Sequence, residues 1–198
     1  MNRIKNILDR DGEASYYPVF FTATESDRYF ETLLREIEWK QEPILLYGKT
    51  VMQPRLTAWY GDPEKSYQYS GITMHPKNWT DALLEIKQKI EAVSSVIFNS
   101  ALLNQYRDEN DSVGWHRDNE KSLGINPVIG SVSFGATRTF LLRYYADKSI
   151  RHSLELTHGS LLLMQGETQH YWEHSIPKQT APSGPRINIT FRKIYNQI

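Results

Sequence analysis

A chain of 198 residues is long enough for one domain with an enclosed core and short for two of ordinary size. It has no cysteine, which excludes disulfide frameworks, zinc fingers, iron–sulfur ligation and a thiol nucleophile, so any metal must rest on His, Asp or Glu. The 23 basic and 23 acidic residues cancel, which leaves no whole-molecule pull on a polyanion, and no apolar run approaches the ~20 residues of a membrane span, so an intracellular, soluble, monomeric protein is expected.

The N-terminus, MNRIKNILDRDGEASYYPVF, lacks the apolar h-region of a signal peptide. In TESDRYFETLLREIEW, Thr24 followed by Asp27 predicts a capped helix start, and Phe30, Leu33, Leu34 and Ile37 fall on one stripe. Residues 43–78 are broken by Pro43, Gly48, Pro54, Gly61, Pro63 and Gly71 and carry Tyr47, Trp59, Tyr60, Tyr67 and Tyr69, which predicts hairpins or an aromatic lid. WTDALLEIKQKIEAVSSVIF predicts a second helix, capped by Thr80, with Leu83, Ile86, Ile90, Val93 and Ile97 on its apolar face.

After Asn99 the pattern changes to strands: ALLNQY, VIGSVSFG, ATRTFLLRYY, IRHSLEL, SLLLMQG and PRINITFRKI, divided by turns such as ADKS and THG. Helices upstream and strands downstream predict a mostly β, α+β fold, a double-sheet barrel or sandwich backed by helices.

The sharpest chemical signal is His116-Arg117-Asp118. In extended backbone residues i and i+2 share a face, so imidazole and carboxylate can reach one ion while Arg117 points away. One further His would complete the two-His, one-carboxylate set of non-haem iron oxygenases, which leaves coordination positions open. His152, beside Arg151, and His158, in the THG turn, read as surface residues; His170 and His174 both follow the SLLLMQ strand, and spacing does not choose between them. In PRINITFR, Arg186, Asn188, Thr190 and Arg192 share one face and Ile187, Ile189 and Phe191 the other, a row of donors opposite a row of core residues. Two guanidinium groups in that row suit a small diacid, whose carboxylates they can grip bidentately. In ALLNQY, Asn104 and Tyr106 project together in the same way, away from Leu103.

The series NQYRD, GWHRDNE, SVSFGATRTF, HGSLLLM, HYWEHSIP and PRINITFRKI resembles the AlkB family of Fe(II)- and 2-oxoglutarate-dependent dioxygenases, in its branch of double-strand DNA repair demethylases, from about Pro43 to Ile194. The resemblance implies a double-stranded β-helix (jelly-roll) dioxygenase spanning 1–198, with a lid and finger hairpin at 43–78 and a catalytic core at 99–194. It implies Fe(II) on His116, Asp118 and His174, with His170 outside the metal set. It also implies 2-oxoglutarate among Asn104, Tyr106, Arg186, Asn188, Thr190 and Arg192, with Arg192 on the remote carboxylate, and O2 as second co-substrate. The implied reaction is oxidative demethylation of 1-methyladenine and 3-methylcytosine in single- or double-stranded DNA, with RNA as a further substrate, yielding succinate, CO2 and formaldehyde.

Such an enzyme must flip its base out of a helix. By similarity, Tyr69 and the His116 ring flank that base, Tyr67 and Glu120 lie near its polar edge, Tyr47 fills the vacated stack, and Arg55 touches the displaced or opposite strand. With zero net charge, phosphate contacts fall to local cations such as Lys49, Arg55, Arg117, Lys121, Arg138, Lys178 and Lys193. The rival readings are an RNA demethylase or a protein hydroxylase of the same chemistry, and a barrel that binds nucleic acid without iron. The compartment expected is cytoplasm in a bacterium, with the nucleus open to a eukaryotic protein.

Overall fold

The computed structural model describes residues 6–46, 48–63, 67–69, 72–74 and 76–195, and of 46, 67–69 and 72–74 the backbone alone. Strand β1 (Glu13–Tyr17) precedes helix α1 (Ala23–Glu36), after which come β2 (Pro43–Leu46), β3 (Lys49–Met52), β4 (Leu56–Gly61), β5 (Tyr67–Tyr69) and β6 (Ile72–Met74). Helix α2 (Asp81–Ser94) leads into β7 (Ser100–Tyr106), β8 (Val113–His116), β9 (Ile129–Gly135), β10 (Arg138–Tyr144), β11 (Arg151–Leu156) and β12 (Ser160–Gln165). A single turn, α3 (Thr168–Tyr171), then precedes β13 (Trp172–Ile176) and β14 (Arg186–Arg192).

Two antiparallel sheets face each other: a major sheet ordered β1-β12-β9-β14-β7-β4 and a minor one ordered β11-β10-β13-β8. The fold is a jelly roll backed by helices, as the strand-rich second half predicts. Two separate cores follow from strand alternation. On the outer face of the major sheet, Leu103, Val132, Phe134, Ile187, Ile189 and Phe191 pack under Tyr29, Leu33, Leu83, Ile86 and Ile90 of the two helices. Between the sheets, Tyr106, Ile129, Leu162 and Met164 meet Phe140, Leu142, Leu156, Trp172 and Ile176. Among the described residues no helix is long and apolar enough to cross a membrane.

Several local expectations change. Helix α1 is capped by Thr22, not Thr24: Thr22 and Glu25 form a reciprocal capping box that takes up two orphan helix donors and starts the helix two residues earlier. Helix α2 is capped by Thr80 as expected but stops at Ser94, with Ser95 in the left-handed region; Val93 and Ile97 are exposed, so the apolar face ends at Ile90. Trp59 and Tyr60 are not lid rings. They belong to β4, which pairs with β7 in the major sheet; Tyr60 is core and Trp59 Nε1 donates to Ser100 Oγ at 2.8 Å. What remains of the punctuated segment is two hairpins, β2–β3 and β5–β6, on either side of a core strand.

The THG turn between β11 and β12 closes on α1. The Gly159 carbonyl accepts from both Phe20 and Phe21 N–H at 3.0 Å, Gly159 has φ +73°, and a Cβ there would run into Ser26 Oγ. Gly159→Ala adds a left-handed backbone penalty to that clash and should cost about 2–4 kcal/mol of stability, read as a lower urea midpoint with an unchanged slope. His158 beside it is not a surface turn residue. Its Nδ1 accepts from Gly135 N–H at 2.8 Å and its Nε2 faces Asp27 Oδ1 at 3.2 Å, which ties the turn to β9 and α1.

Candidate active site

Both sheets contribute to one pocket, lined from the major sheet by Asn104, Tyr106, Ser131 and the polar row of β14, and from the minor sheet by His116, Phe140 and His174. The alternation in β14 and β7 is as expected: Arg186, Asn188, Thr190 and Arg192, with Asn104 and Tyr106, face the pocket while their neighbours face the helices.

His116 ends β8 and His174 sits in the middle of β13, directly opposite it in register. Their rings lie 4.3 Å apart, and the Phe140 ring stacks on His174 at 5.3 Å and fixes its plane. Beyond β8 the chain is held by Gln169, whose Oε1 accepts from Asp118 N–H at 2.9 Å, so the Asp118 carboxylate turns to the same side as His116. Ligand atoms of His116, Asp118 and His174 all lie within 4.8 Å of one another, the arrangement a single divalent ion requires.

The protonation states suit that ion. Burial and the His116 beside it push the His174 imidazole down to about 3, so it is neutral near pH 7, and its buried Nδ1 has no partner among the described residues. Burial works to raise the Asp118 carboxyl, but Arg192, His174 and His116 outweigh it and hold Asp118 below the usual carboxylate range. His116 Nδ1 faces the Gly114 carbonyl at 2.8 Å, which favours a proton on Nδ1 and a lone pair on Nε2. An ionised carboxylate and two imidazoles with available nitrogen fit an iron(II) ion held by nitrogen and oxygen ligands.

The two arginines of β14 differ. Arg192 Nη2 donates to Asp118 Oδ1 at 2.7 Å, which ties this guanidinium to the carboxylate of the candidate metal set, while its buried Nε has no partner among the described residues. Arg186 lies at the inner end of the pocket, 1% exposed, with Nη2 on Ser133 Oγ at 2.8 Å. Its Nε and Nη1 have no partner among the described residues, and burial pushes it down to about 10, which leaves it charged at neutral pH. Asn188 Nδ2 donates to Ser131 Oγ at 2.8 Å and to the Val132 carbonyl, and Thr190 Oγ1 donates to Asn188 Oδ1 at 3.1 Å.

Other expected residues stand elsewhere. Arg55 does not reach out toward a nucleic-acid strand: it turns inward, Nε donating to Asn104 Oδ1 at 2.7 Å and Nη1 to the Ser112 carbonyl. Arg138 is 0% exposed and donates to the carbonyls of Asp108, Asp111 and Pro177, so it has no phosphate-binding role. His170 is a buckle, facing the Ile125 carbonyl and Asn126 Oδ1. His152 is half-buried against Asp9 and the Trp172 ring, and Leu142 stands between it and His174 in the sheet register. Glu120 is exposed just after Asp118. Tyr47 lies outside the described residues, and Tyr67 and Tyr69 are described only as backbone of β5.

Three residues of the site carry no strong sequence signal. Ser131 and Ser133 alternate toward the pocket in GSVSFG, a pattern the strand itself could have given. Gln169, fully buried with its Nε2 on Met164 Sδ at 3.6 Å, sits in a four-residue helical turn whose periodicity is unreadable. Gln169→Leu keeps the volume but removes the acceptor that orients Asp118; Mn(II) affinity measured by titration should fall about ten- to a hundredfold, as losses behind a metal ligand do.

A jelly roll with a His-x-Asp…His set beside two inward-facing arginines is the framework of a mononuclear iron oxygenase. Residues 13–192 match the 2OG-Fe(II) oxygenase superfamily, and the chain belongs to that family. It is 46% identical over 191 residues to the alpha-ketoglutarate-dependent dioxygenase alkB homolog 3 of Mus musculus, a match covering 90% of this chain and 65% of that protein. The human protein of that name is 44% identical with the same coverage, so the chain spans just under two thirds of the length of these curated relatives. It is also 38% identical to human DNA oxidative demethylase ALKBH2, over 90% of this chain and 72% of that protein. A solved structure of OsALKBH1 shares the fold with a TM-score of 0.61 at 19% identity, covering 94% of this chain and 100% of that one.

Proposed function

We propose that this chain is an Fe(II)- and 2-oxoglutarate-dependent dioxygenase that oxidatively demethylates N-alkylated bases in DNA, 1-methyladenine and 3-methylcytosine among them. The observation that carries this reading is the meeting of the His116, Asp118 and His174 set with the buried, half-unpartnered guanidinium of Arg186 in one pocket. The names of the relatives, dioxygenases and DNA oxidative demethylases, support it.

His116, Asp118 and His174 would hold the iron. Arg186 would receive the remote carboxylate of 2-oxoglutarate, since a buried cation with two unused donor positions gains most from a bound anion. The family resemblance suggests Arg192 for that task. Its hydrogen bond to Asp118 favours a different one, keeping the ligand ionised and oriented. Tyr106, which faces the guanidinium groups of Arg186 and Arg138, and Asn104, fixed by Arg55, complete the co-substrate wall. When bound, iron, 2-oxoglutarate and O2 supply the oxidising power that hydroxylates the N-methyl carbon, with succinate, CO2 and formaldehyde as products.

The half-buried His116 ring and Tyr69 would flank the flipped base, with Tyr67 and Glu120 toward its polar edge and Tyr47 in the emptied stack. A positively charged, N-methylated base has lost its Watson–Crick pair, so extruding it costs less than extruding an intact one, and this supplies part of the selectivity. Arg55 acts within the protein by holding Asn104, rather than on a strand backbone.

The test is mass spectrometry of a 3-methylcytosine oligonucleotide, single- and double-stranded, incubated with Fe(II), ascorbate and 2-oxoglutarate. Loss of the methyl group with matching succinate is expected. Succinate without any change in DNA or RNA would remove the nucleobase from the proposal, and no succinate would overturn the activity itself.

A further inference from the structure

The outer face of the minor sheet carries linked charged and aromatic side chains behind the candidate metal set. Neighbouring residues on a strand point to opposite faces, so Trp115, one before His116, and Glu173, one before His174, stand behind the two imidazoles and outside the pocket lining. Arg143 of β10 is opposite Glu173 in register and joins the two. Its Nε donates to Glu173 Oε2 at 2.7 Å, and its guanidinium carbon lies 4.1 Å from the centre of the Trp115 ring. Lys148 Nζ donates to the same carboxylate oxygen at 2.6 Å, so Glu173 is held from two sides. Because β13 lies between β10 and β8, Arg143 reaches across a whole strand to meet the edge.

The edge strand needs such a tie. Its register with β13 is set at Val113 opposite Ile176 and His116 opposite His174, so two residues, Gly114 and Trp115, stand where β13 has the single Ser175. That is a bulge, which leaves its extra residue unpaired and re-aims the side chains beside it. The bulge also holds the peptide that orients the next residue: the Gly114 carbonyl, which belongs to the peptide unit linking Gly114 to Trp115, faces His116 Nδ1 at 2.8 Å. A carbonyl at Nδ1 fixes the tautomer and the plane of an imidazole that offers Nε2 to a metal. Gly114 anchors nothing, since it has no side chain and open space surrounds the place where one would start. Trp115 is therefore the side chain that can hold this peptide, and Arg143 is the group that holds Trp115.

We infer that Trp115, Arg143 and Glu173 form a clamp behind the metal set, with Trp115 and Arg143 as positioning residues for His116. Glu173 fixes the guanidinium, the guanidinium pins the indole from across β13, and the pinned indole keeps the Gly114 carbonyl on His116 Nδ1. The clamp rests on the reading of His116, Asp118 and His174 as metal ligands. It gives these side chains a role that packing on a sheet surface does not require: they set the affinity of an ion that none of them touches.

The experiment titrates Mn(II) into the full chain, with the free ion read by electron paramagnetic resonance. It compares wild type with Trp115→Ala, Trp115→Phe, Arg143→Met, the double variant Trp115→Ala/Arg143→Met, and Thr139→Ala as a control on the same face of β10. Trp115→Ala and Arg143→Met should each raise the Mn(II) Kd about tenfold or more, the scale of losses behind a metal ligand. The double variant should bind no more weakly than the weaker single one, because both changes remove the same contact. Trp115→Phe keeps a ring face for the guanidinium and should stay within about threefold of wild type, and Thr139→Ala should match it. In the metal-free protein, amide hydrogen exchange over 113–116 should quicken in Trp115→Ala and Arg143→Met alone. Arg143→Met keeps the length of the side chain and carries the test if Trp115→Ala does not fold. Wild-type affinity in folded Arg143→Met, losses that multiply in the double variant, or a Phe variant as weak as the Ala variant would each overturn the clamp and leave the metal set standing. Failure of wild type to take up Mn(II) would instead remove the metal set, and the clamp with it.

Discussion

Arg186→Met should weaken 2-oxoglutarate binding about thirty- to several-thousandfold, the ~2–5 kcal/mol that follows from leaving a buried carboxylate without its charged partner. Mn(II) uptake should persist, because Arg186 touches none of the three metal-set residues in its hydrogen bonds. The protein without ligands should melt no lower than wild type, because an uncompensated buried cation is costly and Met removes it. That combination, stability kept and co-substrate lost, is what separates a binding residue from a packing one. Arg192→Met should behave differently: it removes the partner of Asp118, so its first effect is on metal affinity. Isothermal titration with 2-oxoglutarate at saturating Mn(II) measures the first effect, and titration with Mn(II) alone measures the second. Unchanged co-substrate affinity in Arg186→Met would return the remote carboxylate to Arg192.

His174→Ala should abolish stoichiometric uptake of Mn(II), a loss larger than the ten- to hundredfold expected from residues that merely orient a ligand. His174→Gln, closer in volume, guards against the cavity that Ala leaves beside Phe140, and should lose the ion as well. His152→Ala is the control: its ring meets Asp9 and Trp172, and metal uptake should be untouched. Electron paramagnetic resonance of free Mn(II) reads the titration directly, and full occupancy in both His174 variants would sink the metal set.

What could be read from the sequence follows from how many environments each element sees. Strands β7 and β14 face a helical layer on one side and a polar pocket on the other, so the period of two is plain in ALLNQY and PRINITFR. The pair His116 and Asp118 is local and legible for the same reason. Choosing His174 over His170 required the resemblance, because both sit within a few residues of each other. The deciding fact is register, which puts His174 opposite His116 and turns His170 onto a loop carbonyl. Arg55 and Arg138 were illegible, since a cation in sequence reads as solvated, and only the carbonyls that close around Arg138 and the amide that receives Arg55 make burial tolerable. Strands β1 and β13 carry no strand signal of their own, since β1 follows a polar turn and β13 continues from a helical turn without a break.

Strand β8 is the outer edge of the minor sheet, only four residues long, and its pairing with β13 is interrupted by a register shift between His174 and Ile176. One of its two register pairs is His116 with His174, two side chains that an ion would also join. Coordination there would be a stitch across a sheet margin, with the work of closing that margin shared between the ladder and the ion. Affinity for metal and cohesion of the edge would then be two readings of one quantity: whatever loosens the seam raises the dissociation constant of the ion, and rising free ion tightens the seam with the logarithm of its concentration.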